Sequence, residues 1–206
     1  MTMDADTARE DLEFLKAIVA ERPVNLRVAG LLYGSAGLIY GVQVLLCALA
    51  LSGYALLGEA TYGISALVAN VGYLALVLVV ELANRKRPRP TGAAGRALTA
   101  AFAGVGIANG VTALGFGVAN LMGMPSDIWM LFPIIVCAFQ GACWFLASFV
   151  IRRFWTWIVS AGWYLTAVTI PLLIGNMTAY TYALSVALFL LLGVPGFIMW
   201  RAGRNS

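Results

Sequence analysis

The chain is 206 residues long, 62% hydrophobic and 11% charged, with a formal net charge of +4 and a mean hydropathy of +0.89. Soluble domains run to roughly 45–50% apolar and about 25% charged residues, so a water-soluble fold of this composition would expose large apolar patches and the bilayer is the natural solvent. No histidine is present, which excludes histidine-ligated haem, zinc or copper and any histidine-based triad or general base.

The first residues, Met-Thr-Met-Asp-Ala-Asp, are acidic where a secretory signal carries positive charge, and no cleavable apolar core follows them. Thr7 and Glu10 instead form a Thr-x-x-Glu capping box, and Pro23 closes the segment it opens. Between them Leu12, Leu15 and Val19 share one helical face, flanked by Phe14 and Ile18. This predicts a short amphipathic helix over 8–21. Asp4, Asp6, Glu10, Asp11, Glu13 and Glu21 make the segment acidic, so anionic lipid is not its expected target. Docking on the cytoplasmic end of the bundle, or on a cytoplasmic or membrane partner protein, fits better.

A membrane span needs about 20 mainly apolar residues at 1.5 Å rise each. Six stretches qualify, over 28–51, 62–83, 97–119, 128–150, 156–174 and 179–200. All must be helical, because an open strand in hydrocarbon leaves backbone groups unpaired. The expected fold is therefore all-α: a cytoplasmic segment over 1–26, a six-helix transmembrane domain over 27–202 and a tail over 203–206.

The first span places Gly30, Gly34, Gly37 and Gly41 at i, +4, +7 and +11, within about 40° of the first of them, which makes a continuous glycine groove. Tyr40 and Gln43 lie away from that groove. The second span sets Gly63, Asn70, Val77, Glu81 and Asn84 on one face, and Glu81 stands close to the basic run that follows. That run, Arg85, Lys86, Arg87, Arg89 and Arg96, reads first as a determinant of topology and second as an attraction for acidic headgroups. Five charges between two spans make no nucleic-acid surface.

The third span repeats the first at an offset of 69: Gly37, Gly41, Val42 and Leu45 match Gly106, Gly110, Val111 and Leu114. Its small-residue stripe runs Thr99, Ala103, Gly106, Gly110, Ala113 and Gly117, with Asn109 and Thr112 off the stripe. The fourth span gathers Pro133, Cys137, Gln140, Trp144 and Ser148 on one face. The fifth keeps a shorter stripe of Gly162, Thr166 and Thr169, and Pro195 between Gly193 and Gly196 marks where the sixth should bend. Small faces let helix backbones approach closely in lipid. The repeat predicts three tandem parallel hairpins, 27–84, 97–153 and 156–201, whose odd-numbered spans meet through Gly30, Gly34, Gly37, Gly41, Gly106, Gly110, Gly117 and Gly162. On this reading Gly37→Leu should disrupt assembly far more than Ala48→Leu.

All 13 Lys and Arg residues fall on one side of the six stretches. The opposite loops, near 52–61, 120–127 and 175–178, carry only Glu59 and Asp127. The positive-inside rule then makes both termini cytoplasmic, and compact loops without organelle targeting suggest a bacterial plasma membrane. Trp155, Trp157 and Trp200 stand at cytoplasmic span ends and Trp129 at an outer one, as interfacial anchors.

Polar groups within spans are the candidates for function. Gln43, Asn70, Asn109 and Gln140 could line a small polar cavity, or they could be hydrogen-bond glue between helices. No span holds an acid or base near its centre, against ion-coupled pumping and against catalysis. Cys47, Cys137 and Cys143 are an odd, intramembrane set with a C-x5-C spacing, expected to be packing residues rather than disulfides or metal ligands. No metal or cofactor is expected, and an oligomer is compatible with the pattern. The sequence points to a non-enzymatic accessory, sensor or scaffold protein in the bilayer, with a small carrier or channel for an uncharged or weakly polar solute as the alternative.

Overall fold

The computed structural model of the chain describes residues 26–54, 58, 60–85 and 93–203. The predicted helix over 8–21, Glu59, the basic residues at 86–89 and Arg204 lie outside the described residues. Every described element is helical: α1 (Arg27–Leu51), α2 (Ala60–Asn84), α3 (Ala93–Leu121), a 3-10 turn (Ser126–Met130), α4 (Leu131–Ile151), α5 (Phe154–Thr169), a second 3-10 turn (Ile170–Leu173), α6 (Met177–Leu188), a π-helical turn (Phe189–Gly193) and α7 (Val194–Ala202). The last three elements form one continuous span, Met177–Ala202, and six helices in all are long and apolar enough to cross a membrane. The chain thus has the build of a multi-pass membrane protein.

Local chemistry sets the ends of these helices. At the end of α1 the Ser52 hydroxyl donates to the carbonyl of Ala48 at 2.8 Å, and Gly53 reverses the chain at φ 83°. Gly123 does the same after α3 at φ 91°. α4 ends at Arg152 in a left-handed conformation, and Asn176 caps α6 by accepting from the Ala179 amide at 3.0 Å. The three prolines of the later spans are absorbed differently. Pro133 sits in the first turn of α4, where a missing N–H costs little; Pro171 falls in the 3-10 turn ending the fifth span; Pro195 follows the π-helical turn, whose wider ring spares the carbonyl a proline would clash with.

α1 is the organising helix. It lies along α6, the π turn and α7, with α2 on another side. α4 lies along α5, with α3 against it. The consecutive pairs α1–α2 and α3–α4 are neighbours, whereas the fifth span rests mainly on α4 and the sixth mainly on α1. The two groups meet in an aromatic core. The Tyr33 ring stands edge-on to Phe102 and to Trp144, each at 5.4 Å between centroids, and Phe102 meets Trp144 at 5.6 Å. Trp144, Trp163, Ala147 and Met199 are fully buried there.

The glycines show why the sixth span seats on the first. A Cβ added at Gly30 would run into the Trp200 amide and the Gly196 carbonyl, one at Gly37 into the backbone of Gly193, and one at Gly34 would approach Gly196 C to 3.3 Å. At Gly41 it would meet the Phe189 ring at 2.8 Å. The groove read from the first span is therefore filled by span six, whose own Gly193 and Gly196 offer the matching small face. This differs from the expected meeting of odd-numbered spans. Gly162 faces Leu191 of span six, with its added Cβ 2.7 Å from Leu191 Cδ2, and Gly106, Gly110 and Gly117 have no atom within 4 Å of an added Cβ among the described residues.

Two aromatic groups mark opposite ends of the spans. Phe116, Trp129 and Phe132 cluster with centroids 5.8–6.1 Å apart at the end holding Gly123 and Asp127, while Phe145, Phe149 and Trp157 cluster at 5.2–5.4 Å beside Arg152 and Arg153. Between these levels α2 and α3 are the least buried spans, and their Leu67, Leu74, Ile107 and Leu114 form an exposed apolar surface suited to acyl chains.

Candidate functional site: the polar groups inside the bundle

Gln140 is the most enclosed of the four polar candidates. α4 carries it on the same buried face as Cys137, Trp144 and Ser148. Its Oε1 accepts from the Tyr33 hydroxyl of α1 at 2.8 Å, and that hydroxyl oxygen in turn accepts from the indole N–H of Trp144. One oxygen on α1 thus uses both a donor and an acceptor partner on α4. The pairing is direct and needs no water between the two helices.

Asn70 is elsewhere. It lies on the exposed side of α2, where Oδ1 accepts from the Tyr40 hydroxyl at 3.2 Å and Nδ2 donates to the Ala66 carbonyl of its own helix at 2.8 Å. Tyr40 stacks edge-on against Tyr73 at 5.5 Å, and Tyr73 donates to the Leu32 carbonyl at 3.4 Å, so this set joins α1 to α2. Gln43 forms a third set: its Nε2 donates to Cys47 Sγ at 3.5 Å, and Cys47 reaches Ser65 of α2 at 3.7 Å. Asn109 of α3 belongs to none of these, and among the described residues its buried Oδ1 has no hydrogen-bond partner. Of the two alternatives, a shared cavity or interhelical hydrogen bonds, three of the four side chains show the second, in three separate pairings.

Several groups that the sequence reading did not single out carry interhelical bonds. Ser160 of α5 donates to the Gly141 carbonyl at 2.9 Å, Ser185 of α6 to the Gly41 carbonyl at 3.0 Å, and Tyr180 of α6 to the Met130 carbonyl at 2.8 Å. Each uses a main-chain acceptor exposed by a glycine or a helix start. Tyr33 could have been found, since it precedes Tyr40 by seven residues and shares its face. Trp163 is fully buried, and among the described residues its indole N–H makes no close hydrogen bond.

A groove of about 470 Å3 opens on the outside of the bundle between the fifth and sixth spans. Gly162, Leu165, Thr166, Tyr182, Ala183 and Leu190 are among its lining residues, and none of the four polar candidates is. Its polar atoms are already engaged: Thr166 Oγ1 donates to the Gly162 carbonyl at 2.7 Å, and the Tyr182 hydroxyl is 3.2 Å from Ser52 Oγ. Among the described residues no three His, Cys, Asp or Glu side chains come together as metal ligands would, and Cys47, Cys137 and Cys143 are separate buried thiols. Comparison of the chain with protein-family models, with curated proteins and with solved structures finds no match.

Proposed function

We propose that this chain is a non-catalytic accessory or scaffold protein of a bacterial plasma membrane, with both termini in the cytoplasm and an acidic N-terminal segment available to a partner protein. The supporting observation is the Tyr33–Gln140–Trp144 set: the most enclosed intramembrane amide hydrogen-bonds another helix of the same chain instead of facing a shared space with Gln43, Asn70 and Asn109. Intramembrane amides used this way act as glue, at about 0.6–2 kcal/mol each. The glycine seat between spans one and six supports the same reading, because backbones in such close approach leave little freedom for the rocking that a carrier needs. The three-hairpin repeat enters this proposal as the origin of the similar first and third spans, not as the pattern of packing.

The test is a pair of substitutions, Gln43→Leu and Gln140→Leu, followed for folding and for solute flux in vesicles. A scaffold loses stability at Gln140 and shows no saturable flux in either form. A carrier keeps its fold and loses saturable flux, which would sink the proposal. Pull-down with residues 1–24 deleted then asks whether that segment recruits the partner.

A further inference from the structure

We infer that the turn between α4 and α5 is a docking site for an anionic phospholipid, with Arg152 and Arg153 taking the headgroup phosphate and the Phe145–Phe149–Trp157 cluster taking the adjoining acyl chain. The inference is independent of the accessory reading, since a carrier could hold the same lipid. The link between these two helices consists of the two arginines alone. Its backbone is pinned on both sides: the Arg152 amide donates to the Ser148 carbonyl at 3.0 Å, and the Arg153 carbonyl accepts from both the amide and the hydroxyl of Thr156, at 3.1 and 2.6 Å. Both side chains are exposed, and among the described residues neither is engaged by an acid.

The adjoining apolar surface is unusual for its aromatic content. Phe145 and Phe149 of α4 and Trp157 of α5 pack edge-on, with centroids 5.2–5.4 Å apart. They still leave 41%, 57% and 40% of their surface uncovered, and Phe154 beside the arginines leaves 80%. Guanidinium groups favour phosphate through their planar donor fork, whereas aromatic rings favour the interface between headgroups and acyl chains. One molecule satisfies both halves of this surface: a lipid whose phosphate meets the arginines and whose chain lies over the rings. Charge sets the class, because two exposed cations favour a net-negative lipid over a zwitterionic one. The aromatic cluster at the other end, Phe116, Trp129 and Phe132, has no Lys or Arg in its neighbouring loop and provides the built-in comparison.

The experiment uses the full chain in vesicles of phosphatidylcholine that contain a minor fraction of either brominated phosphatidylglycerol or brominated phosphatidylcholine, in both leaflets so that orientation is immaterial. Bromine quenches tryptophan on contact, and the difference between the wild-type chain and Trp157→Phe isolates the quenching that belongs to Trp157. That component should be several-fold stronger from the anionic lipid, fall to parity in the double variant R152Q/R153Q, and persist in R152K/R153K. Raising the salt should erode the preference in the unmodified chain, a reading that needs no variant to fold. Equal quenching by the two lipids in the wild type overturns the inference, as it would if an acidic protein segment occupied the turn instead. A preference that survives R152Q/R153Q overturns it too, and leaves the arginines as topological determinants only.

Discussion

The Tyr33 hydroxyl donates to Gln140 and accepts from Trp144, so one oxygen couples α1 to α4 in the most buried part of the bundle. Replacing Gln140 by Leu leaves that hydroxyl proton buried without an acceptor, a loss of about 1–3 kcal/mol. Asn70→Leu removes a bond on an exposed helix face and should cost less than about 0.6 kcal/mol, the average for interhelical bonds in lipid. Reversible unfolding in mixed micelles measures both. Tyr33→Phe combined with Gln140→Leu should be less damaging than the sum of the two single changes, because the second change removes a group that the first has already orphaned. Additive losses would mean that the two side chains do not depend on each other. Gln140 was legible in the sequence as a polar residue in an apolar run. Tyr33 was less so, because a tyrosine reads as an aromatic and its hydroxyl matters only once a partner from another helix arrives. Spacing left open whether Gln43, Asn70, Asn109 and Gln140 share a cavity or bond between helices, because it gives a face on one helix and does not say which neighbouring helix that face meets.

Glycine spacing is informative about a helix and silent about its partner. Span one and span three carry closely similar small-residue stripes, yet one seats span six against its backbone and the other has no neighbour within 4 Å of an added Cβ among the described residues. The difference lies in the complement, since Gly193 and Gly196 of the sixth span supply a second small face at the right height and nothing described does so for Gly106, Gly110 and Gly117. Gly37→Leu would drive a side chain into the backbone of Gly193, which cannot swing aside as a side-chain tip could, so the loss should reach or exceed about 3 kcal/mol and show as failed assembly. Gly110→Leu should be close to neutral in the same assay. Ala48→Leu, set against Gly37→Leu as the milder change, should cost stability too, because Ala48 is fully buried and the added isopropyl group must overpack. Span boundaries, by contrast, were read to within about three residues, 28–51 against Arg27–Leu51 and 179–200 against Met177–Ala202, because the length of an apolar run is a local property fixed by bilayer thickness.

At the level of the whole molecule the sequence carries two kinds of signal, and they differ in range. Charge in the loops reports orientation directly, since each Lys or Arg resists transfer across the bilayer on its own account. The order in which helices neighbour one another leaves a much weaker trace. Lipid is as apolar as leucine, so a span facing lipid and a span facing protein look alike, and association is decided by close fit and a few hydrogen bonds. That is why the pairing of span six with span one, and of span five with span four, emerges only when the chain is assembled in three dimensions. The orientation, however, is open to a direct measurement on the assembled protein. Cys47, Cys137 and Cys143 are buried, so a membrane-impermeant maleimide added to intact cells should leave the unmodified chain unlabelled. Met124→Cys, at the exposed turn after α3, should then label from outside, and Ala202→Cys, exposed at the end of α7, should label only after the membrane is opened. Labelling of the second before the first would invert the molecule, and it would place every one of its 13 basic residues on the side that the positive-inside rule forbids.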